Sequence, residues 1–280
     1  GVSHQLVPVI TGVNLYSTRL AAFTFILAAA GIPLLVYGFY DFNMGWPARW
    51  GGRLILLAVI CYVYNLMGTI RKSRTKNVHA FFILSASVWL LFTVSFGLVL
   101  LYNFTYPFLE KESFDYLPLH AHTGIAGWFL LLVTGVGSRL IPMFLFSKYS
   151  NTKLLWAIFI FINCGLIGFI TSYLFLHGRP YFLVPVLLVM AGMFLFGYYC
   201  LQAWRQRLRR KLDEQMKISL LSVLLMLLPF IILLVITGWL LTGEQNTRLI
   251  TLYGFTVFFG WITTIILGMT FKTLPFIVWN

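Results

Sequence analysis

Residues 119–144 read LHAHTGIAGWFLLLVTGVGSRLIPMF, with Arg139 their single formal charge. About 20 apolar residues in a helix cross the roughly 30 Å of hydrocarbon in a bilayer. No water is available there, so only a helix or a closed barrel pairs every backbone N–H and C=O. A run this long reads as a transmembrane helix. Seven further apolar runs flank it, at 18–40, 51–70, 79–103, 153–176, 180–203, 218–242 and 249–278. Composition agrees: 60% of residues are hydrophobic and 10% charged, against about 25% charged in soluble domains, and mean hydropathy is +0.89. The expectation is an all-α integral membrane protein of about eight transmembrane helices, a single transmembrane domain over 1–280 solvated by lipid. Pro33, Pro185 and Pro229 fall inside these runs, and each is expected to kink its helix by removing a backbone donor.

The connections alternate in charge. Arg71, Lys72, Arg74 and Lys76 follow the second run, Lys148 and Lys153 flank the connection after the fourth, and Arg205, Arg207, Arg209, Arg210 and Lys211 follow the sixth. The loop after the third run is acidic, with Glu110, Glu112 and Asp115. Cytoplasmic loops are enriched in Lys and Arg, which assigns the basic loops, and with them both ends of this chain, to the cytoplasmic side of a bacterial inner membrane. The net charge of +13 is thereby read as membrane anchoring and orientation, and nucleic acid is not expected as a partner. Cys61, Cys164 and Cys200 lie within apolar runs without CxxC spacing, which reads as buried apolar thiols.

An internal repeat underlies the runs. Residues 127–142, GWFLLLVTGVGSRLIP, and 260–275, GWITTIILGMTFKTLP, share G-W-x6-G-x3-[R/K]-x-[L/I]-P without a gap. Residues 1–8, GVSHQLVP, fit the second half of that pattern with Gln5 where the cation stands, and Pro8, Pro142 and Pro275 stand 134 and 133 residues apart. Three runs lie between successive copies, so the expected unit is four helices, with repeats at about 1–117, 118–248 and 249–280, the first and last incomplete. On this pattern each motif helix is expected to end at its proline. Arg139 and Lys272, three residues earlier, would extend their charged heads out of the membrane. The chain reads as the middle of a larger protein in pseudo-threefold arrangement.

Five histidines are present: His4, His79, His120, His122 and His177. His is the commonest metal ligand, and ionisable groups within spans are functional candidates. His120 and His122 stand two apart, about 200° around a helix, so they project to nearly opposite sides. Two readings stay open. The pair serves two sites, one on each side, or both rings are interfacial, bonded to water or to loop groups such as Asp115.

The HAH helix resembles the metal-binding helix of haem-copper oxidase catalytic subunits, in which a His-x-His pair opens the helix and a proline follows twenty residues after the second His, as Pro142 follows His122. GVGSRLIP is similar to the glycine-rich end of that family's second helix. The resemblance implies three arcs of four helices, with His120 and His122 as haem ligands and His177, in the loop after the fifth run, as a candidate ligand of copper. In the copy at 260–275 the matching positions are Tyr253 and Phe255. The resemblance implies a haem-binding redox protein of the respiratory chain, an oxidoreductase if enzymatic, fed by cytochrome c or quinol and joined to partner membrane subunits. A non-catalytic oxidase-like scaffold for assembly, partner docking or metal handling is the alternative, and a small-solute transporter, for which internal repeats also speak, is a third.

Overall fold

The computed structural model describes residues 2–73, 77–176, 179–208, 212–241 and 246–278. A short helix, α1 (Val2–Thr11), precedes eight helices long and apolar enough to cross a membrane. These are α2 (Thr18–Tyr40), α3 (Trp46–Arg71), α4 (Val78–Asn103), α5 (Leu117–Phe144), α6 (Thr152–Leu176), α7 (Pro180–Arg205), α8 (Glu214–Trp239) and α9 (Thr247–Lys272, its helical backbone running on to Val278). Among the described residues there is no strand, only an isolated bridge between Ser147 and Arg207. The chain is an all-α integral membrane protein.

The ends of the spans follow from local chemistry. The first N–H groups of a helix lack partners within it, and four spans supply one from a polar side chain just before them. Ser17 Oγ accepts from Leu20 N–H at 3.1 Å, Asn77 Oδ1 from His79 at 3.0 Å, Asn151 Oδ1 from Leu154 at 3.0 Å and Asn246 Oδ1 from Leu249 at 3.3 Å. The three prolines behave differently from one another. Pro33 sits within a continuous helix. Pro185 stands in the first turn of the α-helical part of α7, Leu183–Arg205, where its missing donor has no intrahelical partner to lose; it opens the helix instead of kinking it. Pro229 alone interrupts its span, α8 breaking at Met226 between Glu214–Leu225 and Leu227–Leu241.

Two compact units divide the chain, Gly1–Val136 and Gly137–Asn280. In the first, α2 packs on α3, α3 on α4, and α4 on the first half of α5, while α1 lies against α3 and α4. Its core joins Val7, Leu66 and Ile83, all fully buried. Asn65, also fully buried, grips the chain entering α2: its Oδ1 accepts from Ser17 N–H at 3.0 Å and its Nδ2 donates to Ser17 O at 2.9 Å. In the second unit α6 packs on α7 and α8 on α9, and Ile158 and Ile162 of α6 and Met193, Phe196 and Tyr199 of α7 are buried.

The two described motif helices share features beyond their sequence. Each contains a π-helical stretch, Thr123–Leu130 in α5 and Thr256–Ile262 in α9, opening on threonines 133 residues apart. Each threonine hydroxyl donates to the carbonyl three residues back, Thr123 to His120 at 3.0 Å and Thr256 to Tyr253 at 2.9 Å. Gly135 packs against Phe82 near the start of α4, and Gly268 meets Ser219 near the start of α8. Neither helix ends at its proline: helical backbone continues to Phe144 and Val278, as α1 continues past Pro8 to Thr11. Lys272 does not reach into solvent alone. Its Nζ donates to Asp213 Oδ2 at 2.6 Å and lies 5.4 Å from the centre of the Phe144 ring.

Candidate functional site

His120 and His122 occupy the opening turns of α5, and their surroundings differ. His120 faces α4 across the smallest available residue. A Cβ placed on Gly97 would stand 2.7 Å from His120 Cε1 and 3.3 Å from Nδ1, so the imidazole takes the space a side chain would fill. The Thr93 backbone carbonyl is a favourable electrostatic neighbour of the ring, while Nδ1 is buried with no hydrogen-bond partner. Thr93 and Thr123 close the same pocket, their hydroxyls 3.2 Å apart.

His122 turns back along its own helix. Its Nδ1 lies 2.7 Å from Pro118 O; a carbonyl only accepts, so Nδ1 carries the proton and Nε2 the lone pair. Pro118 leaves that carbonyl four residues upstream, where the His122 ring reaches it. In ligating histidines the second ring nitrogen donates to a carbonyl or carboxylate, which fixes tautomer and ring plane. His122 meets that condition through a backbone carbonyl.

No family model, no curated protein and no solved structure matches this chain. The site therefore rests on its own geometry.

That geometry limits the ligand set. Among the described residues no group of three or more His, Cys, Asp or Glu side chains gathers as a metal site. His177, the expected third ligand, lies outside the described residues. At the corresponding position of α9, Tyr253 is partly buried and Phe255 is 59% exposed, facing outward. The cysteines do not share one environment, as their apolar runs suggested: Cys200 is buried, Cys61 partly so, and Cys164 is exposed on its helix.

His4 forms a separate buried imidazole in the first unit. It is 7% exposed, meets the Tyr62 ring edge-on at a centroid distance of 5.2 Å, and its Nε2 is buried without a hydrogen-bond partner. Burial pulls its pKa down from 6.5 to about 4, since a charged ring would lose its hydration there. Sequence reading missed the Gly97–Thr93 cradle because those residues lie more than twenty positions upstream on an antiparallel helix, beyond any motif spacing.

Proposed function

We propose that the protein is a haem-binding redox protein of the membrane, related in design to the catalytic subunits of haem-copper oxidoreductases. One observation carries this: His122 commits its Nδ1 to the Pro118 carbonyl, and His120, two residues earlier on the same helix, keeps a buried Nδ1 with no hydrogen-bond partner. The orphaned, buried Nδ1 of His120 fits a group that accepts its lone pair, because an unpaired buried polar atom otherwise costs about 1–3 kcal/mol. His120 and His122 would hold haem, and copper at a second site would draw on His177. Bound haem would supply one-electron chemistry through its iron. The chain's own part is to orient the two rings, with Pro118 setting the tautomer of His122 and Gly97 giving the His120 ring room beside α4.

In this reading the protein sits in a bacterial inner membrane with both ends of the chain cytoplasmic, takes electrons from cytochrome c or quinol, and works beside partner membrane subunits. The shared π-helical stretches and threonine bonds of α5 and α9 support the four-helix repeat behind it. A reduced-minus-oxidised visible spectrum of the purified protein, with iron and copper analysis, is the test. Haem bands present in the parent and lost in a His120→Ala, His122→Ala double variant are the expected result.

A second reading is a non-catalytic scaffold that keeps the oxidase-like plan. The lack of a three-ligand group among the described residues, and Tyr253 and Phe255 where the first copy has histidines, favour it. A colourless, metal-free parent protein decides for the scaffold and against haem.

A further inference from the structure

Arg49 and Arg53 stand four residues apart at the start of α3, at the same end of the first unit as the close of α4 and the opening of α5. Three influences oppose two cations in that place. Like charges at i and i+4 repel, and the helix N-terminus is itself the positive end of the backbone dipole. The first turn of α3 also holds no acidic residue. Among the described residues no carboxylate forms an ion pair with either guanidinium.

Aromatic rings hold the pair instead. The Arg49 guanidinium lies 5.4 Å from the centre of the Tyr102 ring and 5.0 Å from that of Tyr106. Arg53 lies 5.0 Å from the centre of the Trp50 ring and 5.7 Å from that of Tyr102. Arg53 also donates to the Tyr102 hydroxyl, from Nε at 2.8 Å and from a terminal nitrogen. Arg49 Nε is buried and has no hydrogen-bond partner. Two guanidiniums are thus gathered around one ring, with no ion-paired carboxylate among the described residues.

The setting fixes the level in the membrane. Tyr40, Phe42, Trp46, Trp50, Tyr106 and Phe108 are all exposed around this end, and Trp and Tyr concentrate at headgroup depth. Phosphate oxygens lie at that depth, and guanidinium groups bind them through paired N–H bonds. We infer that Arg49 and Arg53 bind the phosphate of an anionic membrane lipid, with Trp50, Tyr102 and Tyr106 orienting the two guanidiniums. This holds whether or not the protein carries haem.

The test is native mass spectrometry of the whole protein titrated with phosphatidylglycerol, with phosphatidylcholine and with inorganic phosphate. The expected result is a retained phosphatidylglycerol adduct that binds at least tenfold more tightly than phosphatidylcholine. An Arg49→Gln, Arg53→Gln variant should weaken it about tenfold, and Arg49→Lys, Arg53→Lys, which keeps charge but not the planar fork, by less. Arg71→Gln, at the opposite end of α3, should leave it unchanged. If the Gln pair does not fold, Tyr102→Phe, which removes only the hydroxyl that Arg53 engages, should still weaken the adduct severalfold. Equal retention of both lipids overturns the inference, as does an adduct indifferent to the Gln pair, the Lys pair and Tyr102→Phe. Inorganic phosphate displacing phosphatidylglycerol at millimolar concentration overturns the lipid as ligand in favour of a soluble phosphate.

Discussion

At the scale of single residues, His120 and Gly97 share one space: a Cβ on Gly97 would stand 2.7 Å from the imidazole. Overpacking of a filled interior costs about 1–3 kcal/mol, so Gly97→Ala should lower stability in detergent by that amount. In a His120→Ala background the same change should cost much less, since the ring it collides with is gone; equal costs in both backgrounds would show that the contact is absent. His4 gives a pH dependence whose sign is set by burial. Its pKa is about 4 in the folded protein and about 6.5 unfolded, so the unfolded chain takes up the proton first. Stability is complete above pH 6.5 and falls as pH drops toward 4, by on the order of 2 kcal/mol at pH 5. Thermal unfolding at pH 7 and pH 5 should show this loss in the parent and a smaller one in His4→Leu. The HAH pair could be read from spacing, and so could its divergence around the helix. Its cradle could not, because Thr93 and Gly97 become neighbours only through the antiparallel register of α4 and α5.

At the scale of elements, the motif helices α1 and α5 end by backbone conformation, not by proline. Gly12, four residues after Pro8, has φ +68°, and Phe146, four after Pro142, has φ +52°. Gly12 N–H donates to Pro8 O at 2.8 Å and Ser147 N–H to Pro142 O at 2.9 Å. Proline has lost its donor but its carbonyl still accepts, so each helix runs on until a left-handed residue turns the chain, a common way to close a helix. The sequence pattern marked the proline and could not show that the stop lies a turn beyond it. The two positions should respond oppositely to substitution. Nothing lies within 4 Å of a Cβ on Gly12, so Gly12→Ala is opposed by φ alone and should cost about 1 kcal/mol. Phe146→Gly relieves about 1–2 kcal/mol of left-handed strain and meets about 0.5–1 kcal/mol of added chain entropy; it should be neutral to mildly stabilising, though Phe is far larger than Gly. Thermal midpoints in one detergent compare them directly, and a clear loss on Phe146→Gly would mean that its ring packs.

At the scale of the whole molecule, hydropathy made eight spans legible, and their bounds moved mainly where polar residues enter the helix. The third helix starts at Trp46, not near 51, because Pro47 suits a first turn and its arginines lie over aromatic rings, while Glu214 and Lys217 extend α8 backwards through an exposed ion pair at 2.6 Å. Apolar windows cannot register such turns. Span count and charge asymmetry then make separate demands on topology. Lys72 and Lys148 are separated by α4 and α5, so eight intact spans put them on one side whatever the orientation. Glu112 is one span from Lys72 and must lie opposite. Lys72, Glu112 and Lys148 are all exposed, which suits them to labelling. With Cys61, Cys164 and Cys200 replaced by Ala, single cysteines at 72, 112 and 148 should react with an impermeant maleimide in a two-and-one pattern. Under the proposed orientation, with the basic loops in the cytoplasm, positions 72 and 148 should label only after the membrane is opened, and position 112 in intact cells. The same pattern with its sides exchanged would keep the eight-helix fold and refute the orientation, whereas 72 and 112 labelling together would mean that α4 does not cross the membrane.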